Sequence, residues 1–316
     1  MTHVVITANE LRDEHIERVR DAIRGWGTVE RIDDRAPEPA LINALRAAEV
    51  VFGLPSAHAL LQSNVKLCQL SSVGYNNYIG KGLEQKPDFI LCNASGTMGP
   101  GIAEHVLALM LAQTRHLAKH IRDDAQRRWE REPAYGELFG ATVCVVGLGD
   151  LGTAVAERCA ALGMNVIGVR HDASKGHPVA KQVYATQQLN EAVAHADHVV
   201  AMLPASEETK HLFNADVFSA MKPGARFYNA GRGSTVDEQA LIAALESGHL
   251  GGAGLDVFER EPLSEDSPLW NMAHVIVTPH VAGRSTHEYD RQCDLLIENL
   301  QHYHAGEPLR NVIALD

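Results

Sequence analysis

A glycine-spaced turn, Gly147-Leu148-Gly149-Asp150-Leu151-Gly152, follows the apolar run Thr142-Val143-Cys144-Val145-Val146 and opens a helical stretch over residues 153–162. Glycines so placed suit a strand-to-helix turn that receives a dinucleotide pyrophosphate. Gly147 permits the tight turn, Gly149 lets backbone approach the phosphates, and Gly152 lets helix and strand pack closely. The spacing alone says little; its setting between a strand and a helix carries the reading. At the end of the next apolar run, residues 166–169, stands Arg170, where an NAD-preferring site would offer a carboxylate. A guanidinium makes charge-assisted hydrogen bonds to a 2′-phosphate, whereas a carboxylate repels it. NADP(H) is therefore expected over NAD(H), with His171, Ser174 or Lys175 as helpers. The competing arrangement stacks Arg170 on adenine and gives the ribose diol to Asp172.

Three later segments end apolar runs: Tyr228-Asn229-Ala230-Gly231-Arg232-Gly233, Leu255-Asp256-Val257-Phe258-Glu259-Arg260-Glu261-Pro262 and Thr278-Pro279-His280. Singly, Pro279-His280 reads as a loop, Glu261 before Pro262 as a solvated turn, and Arg232 between glycines as a phosphate contact. In this order after a dinucleotide turn, and with the helix opening Ile102-Ala103-Glu104-His105, they resemble the D-isomer-specific 2-hydroxyacid dehydrogenase family over most of the chain. The resemblance implies hydride transfer between a nicotinamide cofactor and the 2-position of a small 2-oxo or 2-hydroxy acid.

That chemistry needs a proton for the carbonyl oxygen and a place for the carboxylate. His280 would be the acid in reduction and the base in oxidation, because imidazole changes protonation state near neutral pH. Glu261 would hold the ring and favour its charged form. Arg232 would grip the carboxylate as a planar fork donor. The resemblance further implies that backbone N–H groups around Val73 and Gly74 meet the carboxylate and that Tyr75 lines the substituent pocket. Asn76 stands where the family often has Asp. It also implies that Asp256 accepts from the nicotinamide carboxamide and that Leu203, Pro204, Ala230, Gly231 and Gly283 border the cofactor. Reduction of a glyoxylate- or hydroxypyruvate-like acid by NADPH is the leading expectation. Formate oxidation is disfavoured because formate dehydrogenases of this fold typically have Gln where Glu261 stands. A phosphoglycerate-type dehydrogenase and a non-catalytic, corepressor-like nicotinamide sensor are also compatible with these motifs.

The chain has 316 residues, 45% of them hydrophobic, enough for two domains with separate cores. Short apolar runs alternating with amphipathic stretches, such as residues 14–26, predict two doubly wound parallel-sheet α/β domains: a Rossmann-type cofactor domain and a flavodoxin-like substrate domain. Residues 1–98 and 285–316 are assigned to the substrate domain and 99–284 to the dinucleotide-binding domain, with six strands expected in the latter. A helix over residues 101–121, apolar around most of its circumference, should be buried between domains or subunits, so a homodimer is expected. Residues 122–137 read as a polar connector with Trp129 a packing anchor.

A net charge of −12 opposes general binding to nucleic acid or anionic membranes. Five widely spaced cysteines, an odd number, read as reduced core thiols of a cytoplasmic protein, and the first eight residues read as a strand, not a signal peptide. No apolar run reaches the roughly 18–20 residues a membrane span needs. No metal is expected: His116 and His120 lie one helical turn apart without a third ligand. His195, His198, His302 and His304 are expected at the surface.

Overall fold

The computed structural model describes residues 1–315. The chain begins β1 (Thr2–Ile6), α1 (Asp13–Ala22), β2 (Gly27–Arg31), α2 (Glu38–Ala47), β3 (Val50–Gly53), α3 (Ala57–Leu61), β4 (Leu67–Leu70) and β5 (Ile90–Cys92). It continues α4 (Gly99–Thr114), α5 (Leu117–Ala125), β6 (Thr142–Val146), α6 (Asp150–Ala161), β7 (Asn165–Arg170), β8 (Gln182–Ala185), α7 (Leu189–Val193) and β9 (His198–Ala201). The remaining elements are α8 (Ala215–Ala220), β10 (Arg226–Asn229), α9 (Glu238–Glu246), β11 (Gly252–Leu255), β12 (Val275–Val277) and α10 (Glu288–Ala305). Two compact units result: Met1–Met98 with Ser285–Asp316, and Gly99–Arg284.

The first unit holds a parallel sheet of order β2-β1-β3-β4-β5. The period-two alternation of its strands divides the core between two faces. Val4, Ile6, Val50 and Phe52 pack with Val19 of α1 and Leu296 of α10, whereas Val5, Val51, Cys68 and Leu70 pack with Leu45 and Leu60 of α2 and α3. A sheet covered on both faces needs near-continuous apolar strands, which is why residues 50–53 and 67–70 read so clearly.

The second unit holds a seven-stranded parallel sheet of order β12-β11-β10-β9-β6-β7-β8. One face carries a core of Val146, Val169, Val199 and Phe227 with Leu189, Phe218 and Leu241 from α7, α8 and α9. On the other face Leu109 of α4 packs so closely over β11 that a Cβ at Gly254 would lie 3.0 Å from it. Both sheets are of the expected doubly wound class.

Several expectations need correction. β2 and β8 are additional strands, and both are sheet edges with partly exposed side chains. They lack the buried run that marks the central strands. The helix expected over 101–121 is two helices, α4 and α5, broken where His116 takes a left-handed φ of 54°. Trp129 is 94% exposed and so anchors no core among the described residues. His198 is not at the surface: it is buried in β9, its Nδ1 3.1 Å from the Tyr228 hydroxyl. His195 and His304 are exposed as expected, His304 stacking on Trp26 with ring centroids 4.1 Å apart.

Candidate active site

The chain reverses direction across the seven-stranded sheet between β6 and β9, and ligands of such sheets bind beyond the carboxyl ends of the strands at that point. Here the end of β6 is the Gly147 turn and the end of β9 leads into Met202, half-buried Leu203 and exposed Pro204. Gly147 has φ +101°, and a Cβ there would lie 2.5 Å from the Met202 carbonyl oxygen. A Cβ at buried Gly152 would sit 2.0 Å from the Gly147 carbonyl oxygen, so α6 closes on the turn only because the side chain is missing. Gly149, the residue before α6, has nothing within 4 Å of its Cβ direction. Exposed Asp150 and half-buried Leu151 form the first turn of α6. The structure therefore leaves open space at the amino end of a helix, where backbone N–H groups and the helix dipole favour phosphate.

At the end of β7, Arg170 is half-buried, and its Nη1 donates to the Gly176 carbonyl (3.1 Å). Asp172 is occupied by its own turn: its Oδ1 accepts from the Ser174 backbone N–H (3.1 Å) and hydroxyl (2.5 Å). The Ser174 hydroxyl bond is the main reason its carboxyl lies below the usual carboxylate range.

The other site residues stand beyond β10, β11 and β12, neighbours in register through Asn229, Leu255 and Val277. Ala230 and Gly231 are buried, and the Gly231 N–H donates to the Asn229 Oδ1 (3.0 Å) while the Asn229 amide donates to the Arg232 carbonyl (3.1 Å). Asn229 thus fixes the turn that presents half-buried Arg232, whose Nη1 also donates to the Gly231 carbonyl (2.8 Å). A Cβ at Gly233 would lie 1.8 Å from the Phe258 carbonyl oxygen, so the Arg232 turn lies against the loop that carries Glu261.

Glu261 precedes a cis proline, accepts from the Phe258 N–H through Oε1 (3.1 Å), and meets His280 Nδ1 through Oε2 at 2.7 Å. His280 sits in a left-handed conformation, φ +54°, of a kind that costs a non-glycine residue on the order of 1–3 kcal/mol. What holds it there is Asp256. The Asp256 carbonyl accepts from the His280 N–H (2.9 Å), Oδ1 accepts from the Val281 N–H (2.9 Å) and the Thr278 hydroxyl (2.6 Å), and Oδ2 accepts from the Ala282 N–H (2.9 Å). Asp256 is 1% exposed, so the carboxyl expected to face the cofactor is turned into the His280 loop. His105 of α4 completes the cluster, its Nε2 3.0 Å from the Thr278 hydroxyl oxygen. Gly283, half-buried, closes this stretch.

Val73, Gly74 and Tyr75 lie in the other unit, after β4. The Ser72 hydroxyl donates to the Gly74 carbonyl (2.7 Å) and the buried Asn93 amide to the Val73 carbonyl (2.8 Å), while Tyr75 is exposed. Sequence reasoning missed Asn229, Asn93 and the role of Thr278. The one local signal was a polar residue ending an apolar run, as at Asn229 and Asn93.

An imidazole–carboxylate pair at the strand ends of a dinucleotide-type sheet places the protein among the nicotinamide-dependent oxidoreductases. The model of the D-isomer specific 2-hydroxyacid dehydrogenase NAD-binding domain matches residues 107–282. Glyoxylate/hydroxypyruvate reductase B of Shigella boydii is 36% identical over 296 residues, covering 90% of this chain and 89% of that protein. A D-isomer specific 2-hydroxyacid dehydrogenase family protein of Aeromonas salmonicida superimposes with a TM-score of 0.84 at 29% identity, over 100% of this chain and 99% of its own. An NADPH-dependent glyoxylate/hydroxypyruvate reductase of Sinorhizobium meliloti, solved with NADP and sulfate, gives 0.83 at 27% identity, with 100% and 99% covered. The chain belongs to the D-isomer specific 2-hydroxyacid dehydrogenase family. It is an NAD(P)-dependent oxidoreductase acting between 2-oxo and 2-hydroxy acids.

Proposed function

We propose that this enzyme reduces a small glyoxylate- or hydroxypyruvate-like 2-oxo acid with NADPH. The observation that carries the reading is the 2.7 Å contact between His280 Nδ1 and Glu261. It commits the Nδ1 proton to the carboxylate and leaves Nε2 as the atom that exchanges a proton with substrate. The reduced cofactor, when bound, supplies a hydride to the carbonyl carbon. His280 delivers the Nε2 proton to the carbonyl oxygen, and Glu261 keeps the ring oriented. Arg232 binds the carboxylate and draws charge toward the carbonyl oxygen. Asp256, Thr278 and Asn229 keep these groups in place. On the family resemblance, Val73, Gly74 and Tyr75 are assigned to substrate binding.

Gly147, Gly149, Asp150, Leu151 and Gly152 would hold the pyrophosphate, bordered by Leu203, Pro204, Ala230, Gly231 and Gly283. Arg170 supports NADP(H) because its guanidinium stands at the end of β7 while Asp172 is bound to Ser174. The substrate class rests on the 36% identical relative, named for glyoxylate and hydroxypyruvate. A homodimer is supported by exposed apolar side chains on one stretch, Leu111, Leu117, Ile121, Trp129 and Phe139. Light scattering from a monomer at micromolar concentration would remove that support. Five free, buried cysteines favour the cytoplasm, and among the described residues no helix is long and apolar enough to cross a membrane.

A panel of 2-oxo acids assayed with NADPH and NADH tests the reading. Turnover of glyoxylate or hydroxypyruvate is expected, with higher kcat/KM for NADPH, and Arg170→Asp should lower the NADPH-to-NADH ratio by about tenfold or more. Absence of turnover with every acid refutes the reading.

A further inference from the structure

His105, Leu109 and Gln113 stand four residues apart and so share one face of α4. As the helix advances, that face steps back along β11. Gln113 donates through Nε2 to the Ala253 carbonyl (2.8 Å), and Leu109 lies over Gly254, where a Cβ would meet it at 3.0 Å. The same docking delivers the half-buried His105 imidazole to the carboxyl end of the strand, its Nε2 3.0 Å from the Thr278 hydroxyl oxygen and 3.6 Å from Asp256 Oδ1. The Thr278 hydroxyl has a single proton, and its 2.6 Å bond to Asp256 uses it. Toward His105 that oxygen can therefore only accept, which fixes the direction of both bonds: Nε2–H to Thr278, then Thr278 O–H to Asp256. Bonds in such a series polarise one another.

We infer that His105 is a positioning residue for the reduction, acting on His280 through Thr278 and Asp256. The buried Asp256 carboxylate holds the Val281 and Ala282 N–H groups, and the Asp256 carbonyl holds the His280 N–H. Those bonds retain His280 in the left-handed backbone that a non-glycine residue adopts only when its surroundings impose it. The Thr278 hydroxyl keeps the carboxylate from turning, and His105 keeps Thr278 from giving its proton elsewhere. The His280 ring moves with its backbone, and a misplacement of about 1 Å in a reacting group can cost up to about 10²-fold in rate. The inference rests on His280 as the proton donor proposed above, and His280→Ala tests that assignment by itself.

The test is single-turnover oxidation of NADPH by the full-length enzyme with glyoxylate or hydroxypyruvate, whichever turns over faster, measured beside KM for that acid and the dissociation constant for NADPH. His105→Leu removes the donor and should slow the step about tenfold, with both binding constants within about twofold of wild type, because alignment of the acid matters in the transition state alone. His105→Gln, whose side-chain amide can donate from a similar position, should return the rate to within about twofold of wild type. Thr278→Val should be slowed at least as much as His105→Leu. Adding His105→Leu to it should cost no more than about twofold further, since a residue that works through the Thr278 hydroxyl then has nothing to act on. NADPH binding reports that each variant is folded. A slow His280→Ala beside a His105→Leu at the wild-type rate overturns the inference and leaves the acid assignment standing, whereas a normal rate in His280→Ala removes both. Equal losses in the Leu and Gln variants, full additivity with Thr278→Val, or weaker NADPH binding at an unchanged single-turnover rate also overturn the inference.

Discussion

The two sheets support their working loops by opposite means. In the seven-stranded sheet the turns at the strand ends depend on missing side chains: a Cβ at Gly147, Gly152 or Gly233 would fall 2.5 Å or less from a carbonyl oxygen. In the five-stranded sheet the 72–76 loop stands on buried amides. Asn93 donates to the Val73 carbonyl; its own carbonyl accepts from the amides of Gln69 (2.9 Å) and Asn311 (3.3 Å); and Gln69 Oε1 accepts from Asn299 (2.6 Å). One device lets backbone come close to a ligand. The other fixes a loop without adding charge, since amides do not titrate. On the proposed function, bond-making and the Arg232 grip on the carboxylate fall to the seven-stranded sheet, the five-stranded sheet adds the 72–76 loop to substrate placement, and each half can be broken separately.

The largest expected effect is on the first half. His280→Ala should lower kcat by about 10²–10⁴-fold, the usual contribution of a positioned acid or base, with an unchanged far-ultraviolet circular dichroism spectrum and an intact NADPH complex. Near-normal turnover would remove His280 from the chemistry and with it the division between the sheets.

A second effect, on stability, follows from the buried titratable group in the seven-stranded sheet. Burial, reinforced by the nearby Arg226 charge, lowers the His198 imidazole from 6.5 to about 4. As pH falls below 6.5 the unfolded chain takes up a proton that the folded chain refuses until about pH 4. The contribution is complete above pH 6.5 and is lost progressively toward pH 4, amounting to about 3 kcal/mol. His198→Gln, whose amide can still meet the Tyr228 hydroxyl, should flatten that part of the stability-against-pH curve in urea unfolding. An unchanged slope would show that the imidazole does not carry it.

These two histidines also show what sequence can and cannot reveal. His280 is legible because Pro279, Glu261 and the glycine turn lie in short, contiguous strings whose chemistry is complementary. His198 is not, because one polar residue at the start of an apolar strand looks like a boundary, and only the partner at Tyr228, from a neighbouring strand, makes burial tolerable. The sheets follow from runs such as 50–53 and 142–146, buried on both faces. The edges β2 and β8 do not, since an edge strand needs no such run. The break at His116 has no glycine or proline to announce it. The amide network is the least visible, being assembled from residues 69, 93, 299 and 311.

The smallest effect probes that network. Asn93→Ala removes the donor to the Val73 carbonyl and the acceptor for the Ser95 N–H (3.1 Å), while the backbone that Gln69 uses is kept. Freed of one hydrogen bond worth about 1 kcal/mol, the 72–74 turn should sample other conformations and bind the 2-oxo acid less well. KM for the acid should rise about fivefold, with kcat and the KM for NADPH near wild type, because a contact made equally in ground and transition states affects binding alone. Asn93→Asp keeps the acceptor but loses the donor and sets a buried carboxylate against the Val73 carbonyl, so it should share the rise in KM and be no more stable than Asn93→Ala. A collapse of kcat with unchanged KM would mean that the five-stranded sheet takes part in the hydride step itself.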